Sequence, residues 1–259
     1  METVLSHFES ISLDEMSGIR LMNRTDTKFV TSISKLQELL QMAGTDYYIQ
    51  EIDGKRNMEY FTVYFDSNDY TFFREHHNGH CNRQKVRIRQ YVDSQLNFLE
   101  VKTKDNHGKT RKKRINTAIC PMSCHHDKYS LNTEPQALDF LSRCLTINPT
   151  GLDRKIENRF HRITLVNKAK TERLTIDTDL SFYNLSTNQS YTLPEIAIIE
   201  LKRDGLIPSP ILSMLRQLRI KPLGFSKYCI GEALTNPNLR KNRFKTRIRK
   251  ILKIKSTSI

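Results

Sequence analysis

The sequence predicts an α+β fold built on an antiparallel sheet or barrel. Three observations carry that expectation. At least seven segments read as strands, with apolar and charged residues on alternate positions. Most are joined by turns rather than by the long crossovers that parallel strands need. Helical segments interrupt the strands at intervals, and no internal repeat or low-complexity linker appears before Asn236. A chain of 259 residues, 37% hydrophobic and 27% charged, has ample length for one core. The expected division is a lead-in over residues 1–18, a main domain over 19–235 and a basic tail over 236–259.

Taken in order, residues 1–19 read as a polar lead-in with a short amphipathic turn. "RLMNRTDTKFVTS" reads as a strand with Arg24, Asp26 and Lys28 on one face. "SKLQELLQMAG" predicts a helix capped near Ser32 or Ser34 and stopped by Gly44. "NMEYFTVYFDS" is an aromatic, β-branched strand, and "NDYTFFREHHNGH" a short helix or turn ending at Asn78-Gly79. In "QKVRIRQY", Lys85, Arg87 and Arg89 oppose Val86 and Ile88. In "LNFLEVKTK", Glu100, Lys102 and Lys104 oppose Leu99 and Val101. "DNHGKTRKKRIN" reads as a basic turn, "CPMSCHHDKYS" as a loop, and "EPQALDFLSRCL" as a helix with Pro135 in its first turn.

Three more strands follow: "KIENRFHRITLV", "ERLTIDTDLSFYN" and "EIAIIELKRD". Arg173, Thr175 and Asp177 oppose Leu174 and Ile176, while Ile198, Glu200 and Lys202 oppose Ala197, Ile199 and Leu201. "SPILSMLRQLRI" and "FSKYCIGEAL" read as helices. From Arg240 to Lys255 the chain holds nine Lys/Arg and no acidic residue, with Phe244, Ile248, Ile251 and Leu252 at helical spacing. That segment reads as a basic amphipathic appendage: a solvated helix, a membrane-surface helix or a polyanion-binding extension.

A net charge of +14 points to phosphate-rich partners without choosing among them. The five cysteines are odd in number and irregularly spaced, and the start METVLSHFES lacks a signal-like basic and apolar pattern. The reading is a cytoplasmic chain with reduced thiols and no membrane span, peripheral to a membrane only if the tail binds one. Like charges facing one another across strands are destabilising. The cationic faces are therefore either solvated, or lie inside a closed barrel that anions and metal ions stabilise.

The pieces "RTDTKFV", "YFDSNDY", "KVRIRQY", "LEVKTK", "RKKR", "FHRITL", "ERLTIDTDL", "IIELK" and "SKYCIG" occur in an order that resembles the VTC domain. That domain is the polyphosphate polymerase module of the vacuolar transporter chaperone complex and its stand-alone bacterial relatives, within the triphosphate tunnel metalloenzymes. The resemblance implies a closed antiparallel β-barrel, the triphosphate tunnel fold, with helices packed on the outside. It implies phosphate-binding roles for Lys28, Arg87, Arg89, Lys102, Lys112 or Arg114, Arg162, Arg173 and Lys227. Glu200 would hold a divalent metal, Mn or Mg, and Arg24, Asp26, Lys85, Glu100, Asp177 and Lys202 are further candidates.

The implied activity is metal-dependent transfer of the γ-phosphate of ATP onto inorganic polyphosphate, with pyrophosphate or short polyphosphate as primer. The alternatives are a tunnel triphosphatase or polyphosphatase, and a non-catalytic polyphosphate-binding module. Hydrolytic relatives carry E-x-E-x-K where this chain has Arg24, Asp26 and Lys28, so hydrolysis would need Asp26, Glu100 or Asp177 as a second metal ligand. Polymerase relatives carry a basic residue where Gly224 stands, and Arg219 or Lys221 are the candidates to replace it. An RNA-binding sheet ranks last, because aromatics for base stacking do not interleave with Arg87, Arg89 and Lys102. Cys120, Cys124, His125 and His126 read as an ordinary loop rather than a zinc site. His76, His77 and His80 read as solvated, and Asp66 as shaping a strand-to-helix turn.

Overall fold

The chain's structure, a computed structural model, describes residues 1–19, 24–122, 130–205 and 207–256. The elements run α1 (Glu2–Leu5), β1 (Glu9–Ile11), α2 (Leu13–Ser17), β2 (Arg24–Ser32), α3 (Ile33–Ala43) and β3 (Tyr47–Gln50). Then come β4 (Met58–Ser67), α4 (Thr71–Asn78), β5 (Arg83–Tyr91), β6 (Leu96–Lys104), β7 (Thr110–Asn116) and α5 (Pro135–Cys144). The second half holds β8 (Leu152–Asn167), β9 (Glu172–Asn184), β10 (Ser190–Leu193), β11 (Ile196–Asp204), α6 (Pro210–Gln217), α7 (Lys227–Thr235) and α8 (Lys245–Ser256).

Among the described residues eleven strands form one sheet whose main path is β2-β11-β9-β8-β4-β5-β6-β7, antiparallel along that path. The sheet curls into a barrel. Laid flat, β2 and β6 would lie six strand spacings apart on this path, roughly 29 Å. Yet Lys102 of β6 sits within electrostatic reach of Lys28 on β2 and Glu200 on β11, which only a curled sheet permits. The outer edge of β2 is occupied by the segment before α7, where the Leu223 amide donates to the Lys28 carbonyl at 2.8 Å.

The period-two pattern sets the layers. Outward-facing Phe29, Ile163, Leu165, Leu174, Ile176, Ala197 and Ile199 are buried under α1, α3 and α6, whose Leu5, Leu36, Leu39, Leu40, Ile211 and Leu215 join the same cluster. On the other side Val63, Phe65, Val86, Ile88, Leu99 and Val101 pack with Phe72 and Phe73 of α4 and Ala137 and Leu141 of α5. Removing this apolar area from water drives closure and leaves the charged face inside.

Local chemistry fixes the helix ends. The Ser32 hydroxyl accepts from the Lys35 amide, and α3 stops at Gly44. Asp66, fully buried, accepts from the Phe72 and Phe73 amides at 2.9 Å each and so caps α4. Gly79 closes that helix at φ 78°, a left-handed conformation that glycine adopts without strain.

Four expectations are corrected. The segment "RKKR" is no turn: β7 follows a tight turn at Asp105–Gly108 and pairs along β6 from Phe98 to Lys104. The backbone ladder holds it despite the run of like charge. The lead-in is not loose either, for Ser12 and Glu15 form a capping box, β1 pairs with β3, and Leu5, Phe8, Ile11 and Met16 are buried. The tail is docked: Phe244 and Ile251 are buried in the core, although Leu252 is exposed. His77 is buried and bonds Asn242 across Nε2 at 2.8 Å, so it anchors that tail rather than facing water. The short strands β3 and β10 carry no pattern long enough to read from sequence. Among the described residues no helix is long and apolar enough to cross a membrane.

Helix α7 enters one end of the barrel. Tyr228 stacks on Tyr64 at 5.3 Å, and the Asn184 amide donates to Glu232 at 2.8 Å. Gly231 permits this fit, since a Cβ there would lie 2.6 Å from Phe182 and 2.7 Å from Ile156. Gly231→Ala is expected to cost about 1–3 kcal/mol through overpacking, read as a lower urea midpoint.

Candidate active site in the barrel interior

Ladder register places the charged side chains on one concave surface, because directly opposed residues share a face. Lys28 faces Glu200, which faces Thr175, which faces Thr164. Asp26 faces Lys202, which faces Arg173. Farther round, Arg162 faces Asp177, Thr62 faces Arg89, and Tyr64 faces Arg87. Arg87 faces Glu100, which faces Arg114, while Lys85 faces Lys102, which faces Lys112. Lys227 reaches the same surface from the first residue of α7, capped by Ser226.

Two carboxylates on this surface are fully engaged by cations. Glu100 is 1% exposed. It accepts from Arg87 Nε at 2.7 Å and from Lys112 Nζ at 2.8 Å. Burial opposes its charge, but Arg87, Arg89 and Lys112 together hold the carboxyl well below the usual range. Asp177, 4% exposed, receives a two-pronged contact from Arg162 at 2.6 and 2.8 Å and is also paired with Lys227. Burial opposes its charge too, and Arg162 and Lys227 again prevail.

Glu200 is held more loosely. Its oxygens lie 3.5 Å from Lys28 Nζ and 3.7 Å from Lys202 Nζ. Despite its burial, Lys28, Lys202 and Lys102 keep it ionised well below the usual carboxylate range. Directly across the ladder, the buried hydroxyl of Thr175 has no hydrogen-bond partner among the described residues.

The cations are crowded. Burial and Lys28 push Lys85 down to about 8, and burial with Lys28 does the same to Lys102. Lys102 nevertheless keeps solvent access, as a side chain lining an open lumen would. Burial also lowers Lys227, against the pull of Asp177. Aromatic faces from the strands support the guanidinium groups. Arg89 lies 5.4 Å from the Tyr60 ring centroid, Arg162 5.0 Å from the same ring, and Arg114 4.3 Å from Phe98.

Most of the residues selected from sequence therefore converge. Arg173 lies at the Lys202 end, where its guanidinium donates to the Met16 carbonyl at 3.0 Å and ties down the N-terminal segment. Arg24 pairs through its backbone with Asp204. Sequence reading missed Thr62, Tyr64 and Ser226, and placed Thr175 on the charged face without a role. Continuing the period-two pattern into "NMEYFTVYFDS" would have exposed the first two. Lys85 donates to Ser226 at 2.8 Å, a contact between residues 141 positions apart that no local pattern encodes. Arg219 and Lys221 are exposed, and the cation beside Gly224 is Arg247 instead. Cys124, His125 and His126 lie outside the described residues. Among those described, no group of three or more His, Cys, Asp or Glu side chains could hold a metal.

The donor set nonetheless fits a hard divalent ion that arrives with its own oxygens. One ionised carboxylate, the orphaned Thr175 hydroxyl and the phosphates of a ligand would complete the shell that Mg²⁺ or Mn²⁺ prefers. Lys28, Lys202 and Lys102 would repel the bare ion and attract its phosphate complex.

Comparison with known proteins gives the following. The family model described as the VTC domain matches residues 23–236. No curated protein sequence matches the chain. Among solved structures, one from Bacillus halodurans, described as a candidate adenylate cyclase, superposes with a TM-score of 0.51 at 12% identity, covering 79% of this chain and 96% of that one. A Hippeastrum candidate adenylyl cyclase, described as having a dominant triphosphatase activity, gives a TM-score of 0.46 at 13% identity, with 84% and 98% covered.

Proposed function

The chain belongs to the VTC domain family, and on that premise we propose that its barrel transfers the γ-phosphate of ATP onto inorganic polyphosphate. One observation carries this reading. Glu100 and Asp177 are each consumed by two cations, so the lumen offers cations along its walls and Glu200 as its loosely held carboxylate. Such a surface suits a linear polyanion.

Phosphoryl transfer asks the protein for alignment and charge neutralisation rather than covalent help. Arg89 presents its planar fork to phosphate oxygens and Arg87 and Arg162 the N–H groups left over from their carboxylate pairs, while Lys28, Lys85 and Lys102 supply mobile point charges. Glu200, with Thr175 across the ladder from it, would hold a Mn²⁺ or Mg²⁺ ion, which would supply neutralisation of phosphate charge when bound. The lumen holds the terminal phosphate of the acceptor in line with the γ-phosphate, and its walls limit attack by water. A second reading is hydrolysis of triphosphate, favoured by Asp26, which stands on β2 two residues from Lys28 on the same face.

Incubation of the purified chain with ATP and Mn²⁺, with and without pyrophosphate, separates these readings. A polyphosphate ladder on a gel with stoichiometric ADP supports the polymerase. Free phosphate without polymer supports the hydrolase. Neither product, together with retained polyphosphate, leaves a binding module.

The lowered lysines add a pH signature. Lys85 and Lys102 titrate near 8 in the free protein, and a bound phosphate chain favours their charged forms. Polyphosphate binding at pH 8 is therefore expected to take up protons, and affinity to fall as pH rises through about 8. Calorimetry in two buffers of different ionisation enthalpy reads the uptake directly. Release of protons, or none, would remove these lysines from the site.

A further inference from the structure

Four cations lie within electrostatic reach of one imidazole, His76, at the end of the β5–β6 ladder. Burial, then Lys85, Arg83, Arg247 and Lys104, push His76 down to about 2. Arg83 and Lys104 are the last opposed pair of that ladder, and Lys85 is the next inward cation on β5. Arg247 comes from elsewhere, the first turn of α8.

Its position is specific. A Cβ built on Gly224 would meet Arg247 Nη2 at 3.9 Å and Cζ at 4.0 Å. The guanidinium thus lies in van der Waals reach of a side chain at 224. That segment runs along the edge of β2 and reaches one lumen cation: the Leu223 amide donates to the Lys28 backbone carbonyl at 2.8 Å, and Ser226 accepts from Lys85 at 2.8 Å. Helix α8 is held there by its own anchors. Phe244 is buried against Phe73 at 5.8 Å, Asn242 bonds His77, and Lys255 lies 3.7 Å from Glu195. The basic tail is therefore fixed with one arginine turned to the barrel and Arg249 and Lys250 exposed.

We propose that Arg247 is a phosphate-binding residue, which with Arg83, Lys85 and Lys104 forms a second station for linear polyphosphate at the α7 end of the barrel. The proposal rests on reading the lumen as a polyphosphate site. Without an anion these cations repel one another in a partly desolvated corner; a phosphate chain relieves that repulsion and accepts from the guanidinium fork. Arg247 is then the tail's contribution to the binding surface.

The test is direct binding of a defined medium-chain polyphosphate, by calorimetry at fixed salt, so turnover is not needed. Arg247→Ala is expected to weaken binding about ten- to a hundredfold, the loss of one charged hydrogen-bonding group. Arg249→Ala on the same helix should leave it unchanged. Gly224→Arg in the Arg247→Ala background should restore affinity. Gly224 has no left-handed φ, and its Cβ meets only Arg247 within 4 Å. A merely structural role for Arg247 would not be rescued from position 224, and that result would overturn the proposal. So would unchanged binding by Arg247→Ala, or equal losses at Arg247 and Arg249. A wild-type chain that does not bind polyphosphate would overturn both this inference and the function proposed above.

Discussion

Arg89→Ala is expected to lower turnover by about 10²–10³-fold, the effect of removing one preorganised charge donor from a transferring phosphoryl group. Arg89 is 6% exposed, and burial with Arg87 and Arg162 nearby makes its charge costly. Its hydrogen bond within the protein is weak, to Thr62 at 3.4 Å. Its ring contacts with Tyr60 and Phe160 hold the group in place without satisfying its donors. Loss of this arginine therefore removes an unfavourable charge from the free protein, and the fold should survive. A urea transition near the wild-type midpoint beside the lost activity is the expected pair of results. Near-wild-type turnover would take Arg89 out of the site.

Arg87 must be treated differently. It is a principal partner of Glu100, so Arg87→Ala leaves a buried carboxylate with Lys112. Breaking one side of a buried ion pair costs about 3–5 kcal/mol. Arg87→Ala alone should unfold at lower urea, and adding Glu100→Gln should recover most of that loss while activity stays low. Equal stability of the single and double variants would mean that Glu100 does not depend on Arg87.

Glu200→Gln is expected to weaken metal binding at least tenfold, measured as the Mn²⁺ dependence of triphosphate binding as well as of turnover. The carboxylate has two long ion-pair contacts, at 3.5 and 3.7 Å, so the substitution should spare the fold. Asp26→Asn, measured alongside, separates the two readings of the chemistry. If both substitutions abolish metal dependence, two carboxylates share the ion and the hydrolase gains support. If Glu200→Gln leaves the metal titration unchanged, the ion is held elsewhere.

The faces of the long strands other than β7, a helix start at Ser32 or Ser34, the stop at Asn78-Gly79, and the ordered motifs from Arg24 to Gly231 were legible in the sequence. Period-two alternation and capping chemistry act over a few residues, so they are written locally. The sequence also placed Lys28, Arg87, Arg89, Lys102 and Glu200 on the charged faces that the barrel brings together, and the family resemblance added Arg162. What it could not decide was which charges neutralise which. Glu100 and Asp177 looked like spare metal ligands until the ladder register set them against Arg87 and Arg162.

Register and closure depend on the whole apolar surface being removed from water at once, which no single segment encodes. The same holds for the lead-in, whose buried residues need β3 and α3 as partners, and for the tail, whose Phe244 finds its site only once α4 and α7 are packed. Local physics made the cationic strands. Only the tertiary fold turned them inward around a lumen and brought Arg247 to the side of Gly224.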